Sequence, residues 1–409
     1  MPTHEHLLRL LSADLSLGEA GDAVVCQRDP RVFIDAFTAA VAAGGVVFVA
    51  DPDWDPHRRA LFNRLVATPA VVGDARGGAQ GWLCLPTGGS GGGVKLARHD
   101  ESTLSAAALG FARHFGVSRV NALGLLPLHH VSGLMAWLRT VFTGGAYLPA
   151  DWAAISAGER PPLPASGDWF ISLVPTQLAR LLADPEAVDW LRGFRAVLLG
   201  GGPAWPELLD RAAAAHLPVA VAYGSTETAA MVAAQRPAEF IAGRRDCGTA
   251  LPHARLNLDT EGRLLVEAES LFRGYWPEAR APGPWRTDDL AGIDGEGRLR
   301  LLGRADALII TGGKKVDPLA IEAVLRTAGR WADVAVVGVP DPDWGSRVVA
   351  CHTAEPGAVP TVDIEAIVRE KLSAAERPKA WVAVTPWPRN AQGKLDRAAL
   401  ARAAARAGA

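Results

Sequence analysis

A glycine-rich loop followed by one lysine is the stretch of this sequence most suited to chemistry. It lies within LCLPTGGSGGGVKLARHDESTL, residues 83–104, and five of the seven residues from 87 to 93 are glycine. Successive backbone N–H groups in such a loop form a concave anion site, and Lys95 adds a point charge, so phosphate is the expected ligand. The phosphate loop of nucleotide hydrolases, G-x-x-x-x-G-K-[ST], does not fit, because Lys95 stands between Val94 and Leu96. A flexible Gly/Ser linker is the alternative, and the loop alone does not decide between them.

Short apolar runs that alternate with helical patterns must position this loop. The runs cover residues 46–50, 119–128, 169–175, 196–202 and 219–224. Each is followed by apolar residues at helical spacing, as in TQLARLLADPEAVDWL. Strand, turn and helix repeated in this order predict βαβ units and an α/β fold, with largely parallel sheets covered by helices. Ligands bind such sheets at the carboxyl ends of the strands, where the glycine-rich turns fall.

The pattern changes after about residue 245. RLNLDTEGRLLVEA and GIDGEGRLRLLGRADALII carry acidic-Gly turns between alternating apolar strands, which predicts antiparallel hairpins. From about residue 305, a helix, two strands, a helix and a last strand predict a compact α+β domain of common size. We therefore predict a large N-terminal domain, residues 1–304, of mainly parallel helix-covered sheets plus a β-rich segment, and a small C-terminal α+β domain, residues 305–409.

Composition excludes several classes of protein. The 409 residues exceed one ordinary core, and 49% hydrophobic with 21% charged residues describes a globular chain. A net charge of −2 gives no electrostatic basis for binding nucleic acid. Cys26, Cys84, Cys247 and Cys351 lack the spacing of a zinc site or a disulfide framework, so a cytoplasmic location is expected. The N-terminus lacks the pattern of a secretory signal, and the longest uncharged apolar run, 36–50, is shorter than the ~18 residues of a membrane span.

Eight segments in order resemble the adenylate-forming superfamily, which comprises acyl- and aryl-CoA ligases, luciferases and carrier-loading adenylation domains. They are the loop 87–95, LPLHHVSGL (126–134), VPTQLARLL (174–182), LLGGGPA (198–204), YGSTET (223–228), WRTDDL (285–290), GRADALIITGGKKVDPLAIE (303–322) and PRNAQGKLDR (388–397). One such segment is weak evidence for membership of the superfamily, whereas eight in this order and at sensible spacing are specific evidence. Within the superfamily, LPLHHVSGLMAWLRTVFTGG, LVPTQLARLL, LLGGGPAWPELL and the pairing of YGSTETAAMVA with GTALPHARL look most like the o-succinylbenzoate–CoA ligases of menaquinone biosynthesis.

The resemblance gives the glycine-rich loop a function. The family's phosphate loop, roughly T-S-G-T-T-G-x-P-K-G, wraps the β- and γ-phosphates of ATP. The matching positions here are Thr87, Gly88, Gly89, Ser90, Gly92 and Lys95. The chain departs from the family pattern where Gly91 replaces a hydroxyl residue, Val94 a proline and Leu96 a glycine. These changes leave slower or weaker use of ATP open without implying its loss.

YGSTET resembles the family segment that holds the metal ion and the α-phosphate. Glu227 would bind Mg²⁺ bridging the phosphates, and Thr226 would bond the α-phosphate. A helix cap formed by Ser225 or Thr226 with the following Glu is the alternative interpretation.

The resemblance also implies a set of nucleotide-binding positions. Beyond the phosphate loop they are Gly201, Gly202, Pro203, Tyr223, Gly224, Ser225, Asp289 and Arg304. The segment 201–203 would let adenine lie against backbone, and a plain tight turn is the alternative. Asp289 would accept the ribose hydroxyls, although Asp288 stands where the family usually has glycine. An isolated Asp or Arg is usually a solvated surface residue, so Asp289 and Arg304 rest mainly on the resemblance.

Lys394 in PRNAQGKLDR matches the family's mobile lysine, although by base rate a lone lysine is a solvated side chain. A cation delivered late to the α-phosphate and the attacking carboxylate stabilises the transition state. Asp306 matches the family hinge, and Gly312 and Gly313 match the segment that lines the CoA tunnel. The C-terminal domain is therefore expected to be mobile.

The acid pocket is predicted from two helical segments. His130 and Ser132 match the family's gate and pocket wall, and Gly224 would also contact the substrate. His129 has no assigned role and is read as a core or surface histidine. Arg180 would bind the carboxylate of the acid that is not activated, with an exposed helix arginine as the alternative.

The resemblance implies a two-step ligase reaction. A carboxylate and ATP give an acyl-adenylate and pyrophosphate, and the CoA thiol then gives acyl-CoA and AMP. The predicted catalytic residues are Lys394, Glu227, Thr226 and His130, and the partners are a small carboxylic acid, ATP, Mg²⁺ and CoA, with no nucleic acid and no membrane insertion. The sequence leaves a homodimer open. The alternatives are a ligase for another aryl or acyl acid, and a nucleotide-binding homologue that has lost catalysis.

Overall fold

The computed structural model describes residues 21–69, 81–87, 93–164, 167–327, 331, 333–353, 362–389 and 395–407. Its helices are α1 Pro30–Ala43, α2 Pro56–Val66, α3 Glu101–Phe115, α4 Val131–Thr143, α5 Trp152–Ser156, α6 Pro175–Leu181, α7 Pro185–Arg192, α8 Pro206–Ala214, α9 Pro237–Ile241, α10 Pro318–Thr327, α11 Val362–Lys371 and α12 Arg397–Arg406. Short 3-10 helices cover Thr226–Thr228 and Ala305–Ala307. Within the described ranges, each helix is too short or too polar to pass through a bilayer.

The strands are β1 Ala23–Val25, β2 Val47–Val49, β3 Leu83–Pro86, β4 Leu96–His99, β5 Asn121–Gly124, β6 Tyr147–Pro149, β7 Trp169–Leu173, β8 Ala196–Leu199, β9 Val219–Ser225, β10 Ala230–Ala234, β11 Thr249–Ala250, β12 Ala254–Leu258, β13 Arg263–Ala268, β14 Trp285–Ile293, β15 Leu299–Arg304, β16 Ile309–Thr311, β17 Lys314–Val316, β18 Val334–Asp341, β19 Gly345–Thr353 and β20 Ala380–Val384. Every residue of β2, β3 and β8 is buried, as expected of strands covered on both faces.

Half of these helices have an aspartate as their N-cap residue. Each of these carboxylates accepts a backbone N–H of the first turn, which satisfies a donor that has no partner inside the helix. The capping residues are Asp29, Asp55, Asp100, Asp151, Asp184 and Asp396. The cap at Asp184, followed by Pro185, also explains why TQLARLLADPEAVDWL forms two helices, α6 and α7, because proline cannot continue a helix but suits its first turn.

A seven-stranded sheet forms the centre of the larger part of the chain. Its order is β11-β10-β9-β8-β7-β5-β6, and the strands from β9 to β6 run parallel. β10 and β11 are antiparallel additions at one edge. The carboxyl ends of β5, β7, β8 and β9 therefore meet at one edge of the sheet. A second sheet, β1-β2-β3-β4, packs through α1 against α4, where the rings of Phe37 and Trp137 meet edge to face at 5.6 Å.

The remaining sheets confirm the predicted change of pattern. β12 to β15 form an antiparallel sheet whose two hairpins are those predicted after residue 245. β18-β19-β20, with α10 and α11, builds a separate core around Val336, Val348 and Ile364. The predicted fold class is thus confirmed. The predicted boundary between residues 304 and 305 falls between β15 and the 3-10 helix Ala305–Ala307, and it stays a prediction.

Candidate active site

A cavity of about 1000 Å³, including its open mouth, lies at the carboxyl ends of β7, β8 and β9. The predicted site residues that line the cavity are His130, Ser132, Gly201, Tyr223, Gly224, Ser225 and Thr226. Gly202 and Pro203 are exposed beyond the end of β8. The structure therefore brings together parts of the predicted acid pocket and parts of the predicted nucleotide site.

Gly224 shows why this wall needs a residue without a side chain. A Cβ at this position would lie 1.8 Å from the carbonyl oxygen of Ala230 on the neighbouring strand. Since that contact is with backbone, no rotamer change could relieve it. The close approach of β9 to β10 thus fixes glycine at the cavity surface.

The ends of the glycine-rich loop are held by a hairpin. Pro86 of β3 pairs with Leu96 of β4, and the N–H of Thr87 donates to the carbonyl of Lys95 at 2.9 Å. Leu96, where the family pattern has glycine, is a buried residue of β4. Four predicted phosphate contacts, Gly88, Gly89, Ser90 and Gly92, lie outside the described residues, as do Gly91 and Lys394.

Glu227 is buried beside the cavity, and one of its oxygens is held in place. Tyr275 donates its hydroxyl to Oε1 of Glu227 at 2.7 Å, and the Nζ of Lys95 lies 5.2 Å from the centre of the Tyr275 ring. Burial, followed by the charge of Glu227, raises the pKa of Tyr275, so the phenol keeps the proton that it donates. Tyr275 thus links the predicted metal ligand to the lysine of the predicted phosphate loop.

Thr226 is positioned through its backbone by a buried histidine. The Nε2 of His99 lies 2.8 Å from the carbonyl oxygen of Thr226, and the Nδ1 lies 3.1 Å from Oγ1 of Thr103. A carbonyl accepts only, so Nε2 carries the proton. Burial lowers the pKa of His99 to about 4, and the ring is therefore neutral at pH 7. His99 ties the end of β4 to the start of the 3-10 helix Thr226–Thr228.

Asp289 and Arg304 face each other in the register of β14 and β15. The hydroxyl of Tyr223, which lines the cavity, donates to Oδ2 of Asp289 at 2.6 Å, and Nη1 of Arg304 donates to Oδ1 at 3.2 Å. Asp288 is more exposed: its side chain is 52% exposed, it pairs with Arg263 at 2.9 Å, and it approaches Arg304 only to 3.8 Å. Of the two, Asp289 is therefore the carboxylate connected to the cavity through Tyr223, and its contact with the ribose stays a prediction.

Arg304 also forms a fork-to-fork pair with Asp306. Nε and Nη2 of Arg304 donate to the two carboxylate oxygens of Asp306, each at 2.7 Å. This bidentate pair, followed by the charge of Asp289, raises the pKa of Arg304. The predicted nucleotide-binding residue Arg304 and the predicted hinge residue Asp306 thus contact each other directly. Gly312 and Gly313 lie in the turn between β16 and β17, with φ of 53° and 75°.

Arg139 is a cation in the cavity that the sequence analysis did not predict. It is 4% exposed, lies in α4 and lines the cavity, with its guanidinium 4.1 Å from the centre of the Phe111 ring. Among the described residues no carboxylate forms an ion pair with it, and burial alone lowers its pKa to about 9, so it is charged at pH 7. A buried, charged guanidinium without a counter-ion favours an anionic ligand.

Arg180 occupies a different environment. It is exposed on α6, whose buried residues are Pro175, Leu178 and Leu181, and it does not contribute to the described lining of the cavity. Its assignment to the acid stays a prediction, but the geometry favours Arg139. The sequence feature that could have identified Arg139 is its position as the single charge within the apolar run VSGLMAWLRTVFT. Tyr275 and His99 gave no comparable signal, since each acts through a contact with a residue distant in sequence.

Two family models match the chain. The model of the AMP-binding enzyme matches residues 83–276, and that of the AMP-binding enzyme C-terminal domain matches residues 320–394. A probable 2-succinylbenzoate–CoA ligase from Mycobacterium tuberculosis is 35% identical over 335 residues, which are 78% of this chain and 84% of that protein. A 2-succinylbenzoate–CoA ligase from Geobacillus kaustophilus is 32% identical over 72% of this chain and 64% of that protein.

Solved structures share the fold at lower identity. The o-succinylbenzoate CoA synthetase from Bacillus subtilis, in complex with its acyl-adenylate intermediate, superimposes with a TM-score of 0.76 at 22% identity, over 98% of this chain and 91% of that one. ATP-bound MatB from Rhodopseudomonas palustris gives the same TM-score at 24% identity, over 98% and 92%. The fold is therefore shared by enzymes of different names, while the sequence relatives and both family models agree on the family. The chain belongs to the AMP-binding enzymes of the adenylate-forming superfamily.

Proposed function

We propose that this protein is an AMP-forming acid–CoA ligase that activates o-succinylbenzoate for menaquinone biosynthesis. The observation that carries the proposal is the composition of one cavity. One wall holds Tyr223, Ser225 and Thr226, which the family uses for the nucleotide, and another holds the buried, uncompensated cation Arg139. Such a cavity suits a nucleotide and an anionic acid side by side. The sequence relatives that carry the ligase name cover most of the chain.

The chain's residues would perform the first step by positioning and charge. A carboxylate oxygen of the acid attacks the α-phosphorus of ATP, the bond to the bridging oxygen breaks, and pyrophosphate leaves. Tyr223 and Arg304 hold Asp289 where the ribose hydroxyls of the nucleotide would bind. His99 fixes the backbone at Thr226, whose hydroxyl would bond the α-phosphate. Holding the two reactants in line supplies much of the rate enhancement in such reactions.

The second step uses CoA as the nucleophile. Its thiolate attacks the acyl carbon of the adenylate, and AMP leaves with the oxygen that came from the carboxylate. Lys394 would stabilise the first transition state, whereas Gly312 and Gly313 would line the thiol path in the second. No covalent bond to the enzyme is needed in either step.

The residues at Glu227 fit a magnesium ion brought by ATP. Mg²⁺ prefers oxygen ligands, and Glu227 is a buried carboxylate whose Oε1 is held by Tyr275. No hydrogen bond from the described part of the chain goes to its Oε2. When bound, the ion would neutralise phosphate charge.

The choice of acid rests on Arg139 and on the relatives. o-Succinylbenzoate has two carboxylates, so one can be activated while the other pairs with a buried cation. An acid with a single carboxylate would leave Arg139 buried without a partner. The likeness to MatB is as close in fold as the likeness to the Bacillus subtilis synthetase, and a ligase for another aryl or acyl acid is therefore the second candidate.

Pyrophosphate release across a panel of acids tests the proposal. We expect the highest kcat/KM with o-succinylbenzoate, and a much lower value with 4-oxo-4-phenylbutanoate, which lacks the ring carboxylate, and with short dicarboxylic acids. A higher kcat/KM with another acid would establish the second candidate. Release with none of the acids would identify a homologue that has lost catalysis.

A cytoplasmic location is part of the same proposal, because ATP and CoA are its substrates. We also propose that the protein forms a homodimer. Light scattering of the purified protein would detect it.

A further inference from the structure

Three potential metal ligands are buried together behind the wall of the cavity. They are Asp51, His129 and His130, and one ligand atom from each lies within 4.8 Å of those of the other two. Nε2 of His129 is 3.5 Å from Oδ1 of Asp51, and Nε2 of His130 is 3.9 Å from Oδ2. The three side chains are 7% exposed or less as whole residues. In this Asp51–His129–His130 cluster, only His130 has a predicted part in the ligase reaction, as the gate of the acid pocket.

Local structure fixes each member of the cluster. Asp51 follows β2 at the start of a turn, where its Oδ1 accepts the N–H of Asp53 at 2.8 Å. His129 and His130 end the turn before α4, where the N–H of His130 donates to the carbonyl of Pro127 at 3.1 Å. The two imidazole rings pack edge to face at 4.3 Å. Backbone hydrogen bonds thus hold the ligand atoms near one another before any ion binds.

His129 lacks a hydrogen-bond partner in this position. It is 3% exposed, and within the part of the chain that the structure describes neither of its ring nitrogens makes a hydrogen bond. Its Nε2 approaches Asp51 only to ion-pair distance. His253 is equally buried and also lacks partners, so this feature alone defines no site. His129 differs because a carboxylate and a second imidazole face the same space.

The ligand set and its spacing match a transition metal. Two imidazoles and one carboxylate suit Zn²⁺, which is bound tetrahedrally at about 2.0–2.1 Å and keeps water at an open position. Those bond lengths give ligand–ligand distances of ~3.3 Å, so the 3.5 and 3.9 Å gaps to the two oxygens of Asp51, and the gap between the imidazoles, would contract when an ion binds. Three cations lie near enough to act on the charge of Asp51: Arg28, which pairs with Asp53; Arg58, which approaches Asp55 and Asp396; and Arg59, which donates to the carbonyl of Pro52.

We propose that Asp51, His129 and His130 bind a divalent transition-metal ion, with Zn²⁺ as the best match, at a site separate from the magnesium of ATP. The ion would join the carboxyl end of β2 to the start of α4. Because His130 also lines the cavity, the ion would hold that part of the acid pocket in place.

The test measures Zn²⁺ binding to the metal-stripped full chain by calorimetry, with the thermal unfolding midpoint as a second readout. His4 and His6 near the N-terminus could bind metal weakly, so all variants carry His4→Gln and His6→Gln. We expect one Zn²⁺ per chain, and affinity at least ~10²-fold weaker in His129→Gln, since even outer-shell changes cost about 10–100-fold. Zn²⁺ should raise the unfolding midpoint of the parent but not that of His129→Gln.

His253→Gln is the matched control, because it removes an equally buried, unpartnered histidine outside the cluster, and it should bind Zn²⁺ as the parent does. Asp51→Asn, nearly equal in size, repeats the test if His129→Gln does not fold. Absence of stoichiometric binding by the parent would overturn the proposal. Binding that is undiminished in His129→Gln, or in Asp51→Asn where that variant carries the test, would do the same.

Discussion

Glu227 and Tyr275 form the contact on which the predicted metal site depends. The resemblance identified Glu227, but Tyr275, which is 48 residues away, could not be paired with it from sequence, because only the fold brings the two together. The same holds for Tyr223 and Asp289, which are 66 residues apart. Local motifs therefore predicted polar groups that lie at or beside the candidate site, whereas the groups that hold them in place required the structure.

Substitution of Glu227 by Gln should reduce pyrophosphate release ~10²-fold or more, since bound metal contributes several kcal/mol to such reactions. The fold should survive, because Tyr275 can donate to the amide oxygen as it does to Oε1. The measurement is pyrophosphate release as a function of Mg²⁺ concentration, with the unfolding midpoint as the control for folding. Rates equal to wild type at limiting Mg²⁺ would contradict the assignment.

Arg139→Gln should weaken the use of o-succinylbenzoate by ~2–5 kcal/mol in kcat/KM, the range for truncating one partner of a buried charge pair. It should change the reaction of 4-oxo-4-phenylbutanoate little, because that acid has no ring carboxylate to lose a partner. Arg180→Gln is the competing test: if Arg139 and not Arg180 binds the ring carboxylate, it should leave both acids unaffected. Equal losses with both acids in Arg139→Gln would show that Arg139 supports the fold instead, as its contact with Phe111 allows.

At the scale of elements, β14 and β15 bring the predicted ribose-binding carboxylate and the predicted hinge together. Their register pairs Asp289 with Arg304, and Arg304 reaches on to Asp306 in the next turn of chain. The acidic-Gly turns predicted these hairpins, because turn chemistry is local. The division of α6 from α7 was missed although Pro185 marks it, since the apolar spacing runs on across the break.

The hinge and Lys394 should affect different half-reactions. Lys394→Ala should slow acyl-adenylate formation by ~10²-fold or more, the scale for removing one preorganised transition-state donor. The same variant, given preformed acyl-adenylate and CoA, should form thioester at close to the normal rate. Asp306→Pro should have the opposite effect: acyl-adenylate should form, and thioester formation should stall. Proline fixes φ, whereas a hinge must absorb a change in backbone angles.

Asp306→Ala is the matched control for the proline variant. It removes the carboxylate that pairs with Arg304 but leaves φ free, so thioester formation should continue. Both half-reactions are followed by rapid quench with each substrate pair supplied separately. Equal slowing of the two steps by Lys394→Ala would contradict a mechanism with two orientations of the C-terminal domain.

At the scale of the whole molecule, buried histidines should make stability depend on pH. Burial lowers the pKa of His99, His114 and His253 to about 4 each. In the unfolded chain a histidine titrates near about 6.5. As the pH falls from about 6.5 to about 4, the unfolded state takes up protons that the folded state does not, so the free energy of unfolding should fall across that window and level off below it.

Urea unfolding between about pH 4 and 7 measures this dependence. His99→Gln should reduce the slope, because one of the three groups no longer titrates. An unchanged slope in His99→Gln would show that His99 is protonated in the folded protein.

The family could be predicted because its motifs are short, ordered and carried by turns at strand ends. The acid pocket could be predicted only in part, since the sequence analysis named Arg180 and did not identify Arg139, which the fold places in the cavity wall. Exposure separated them: Arg180 is exposed, and Arg139 is 4% exposed in the cavity wall.

The central claim is that a carboxylate oxygen of o-succinylbenzoate attacks the α-phosphorus of ATP. The most direct measurement uses the acid with ¹⁸O in its carboxylates, together with ATP and CoA, and determines the label in the products by mass spectrometry. An acyl-adenylate route transfers one ¹⁸O atom from the acid to AMP, because the CoA thiolate displaces AMP at the acyl carbon. We predict AMP that carries one ¹⁸O atom and unlabelled pyrophosphate. AMP without the label, or ADP in place of AMP, would contradict the account.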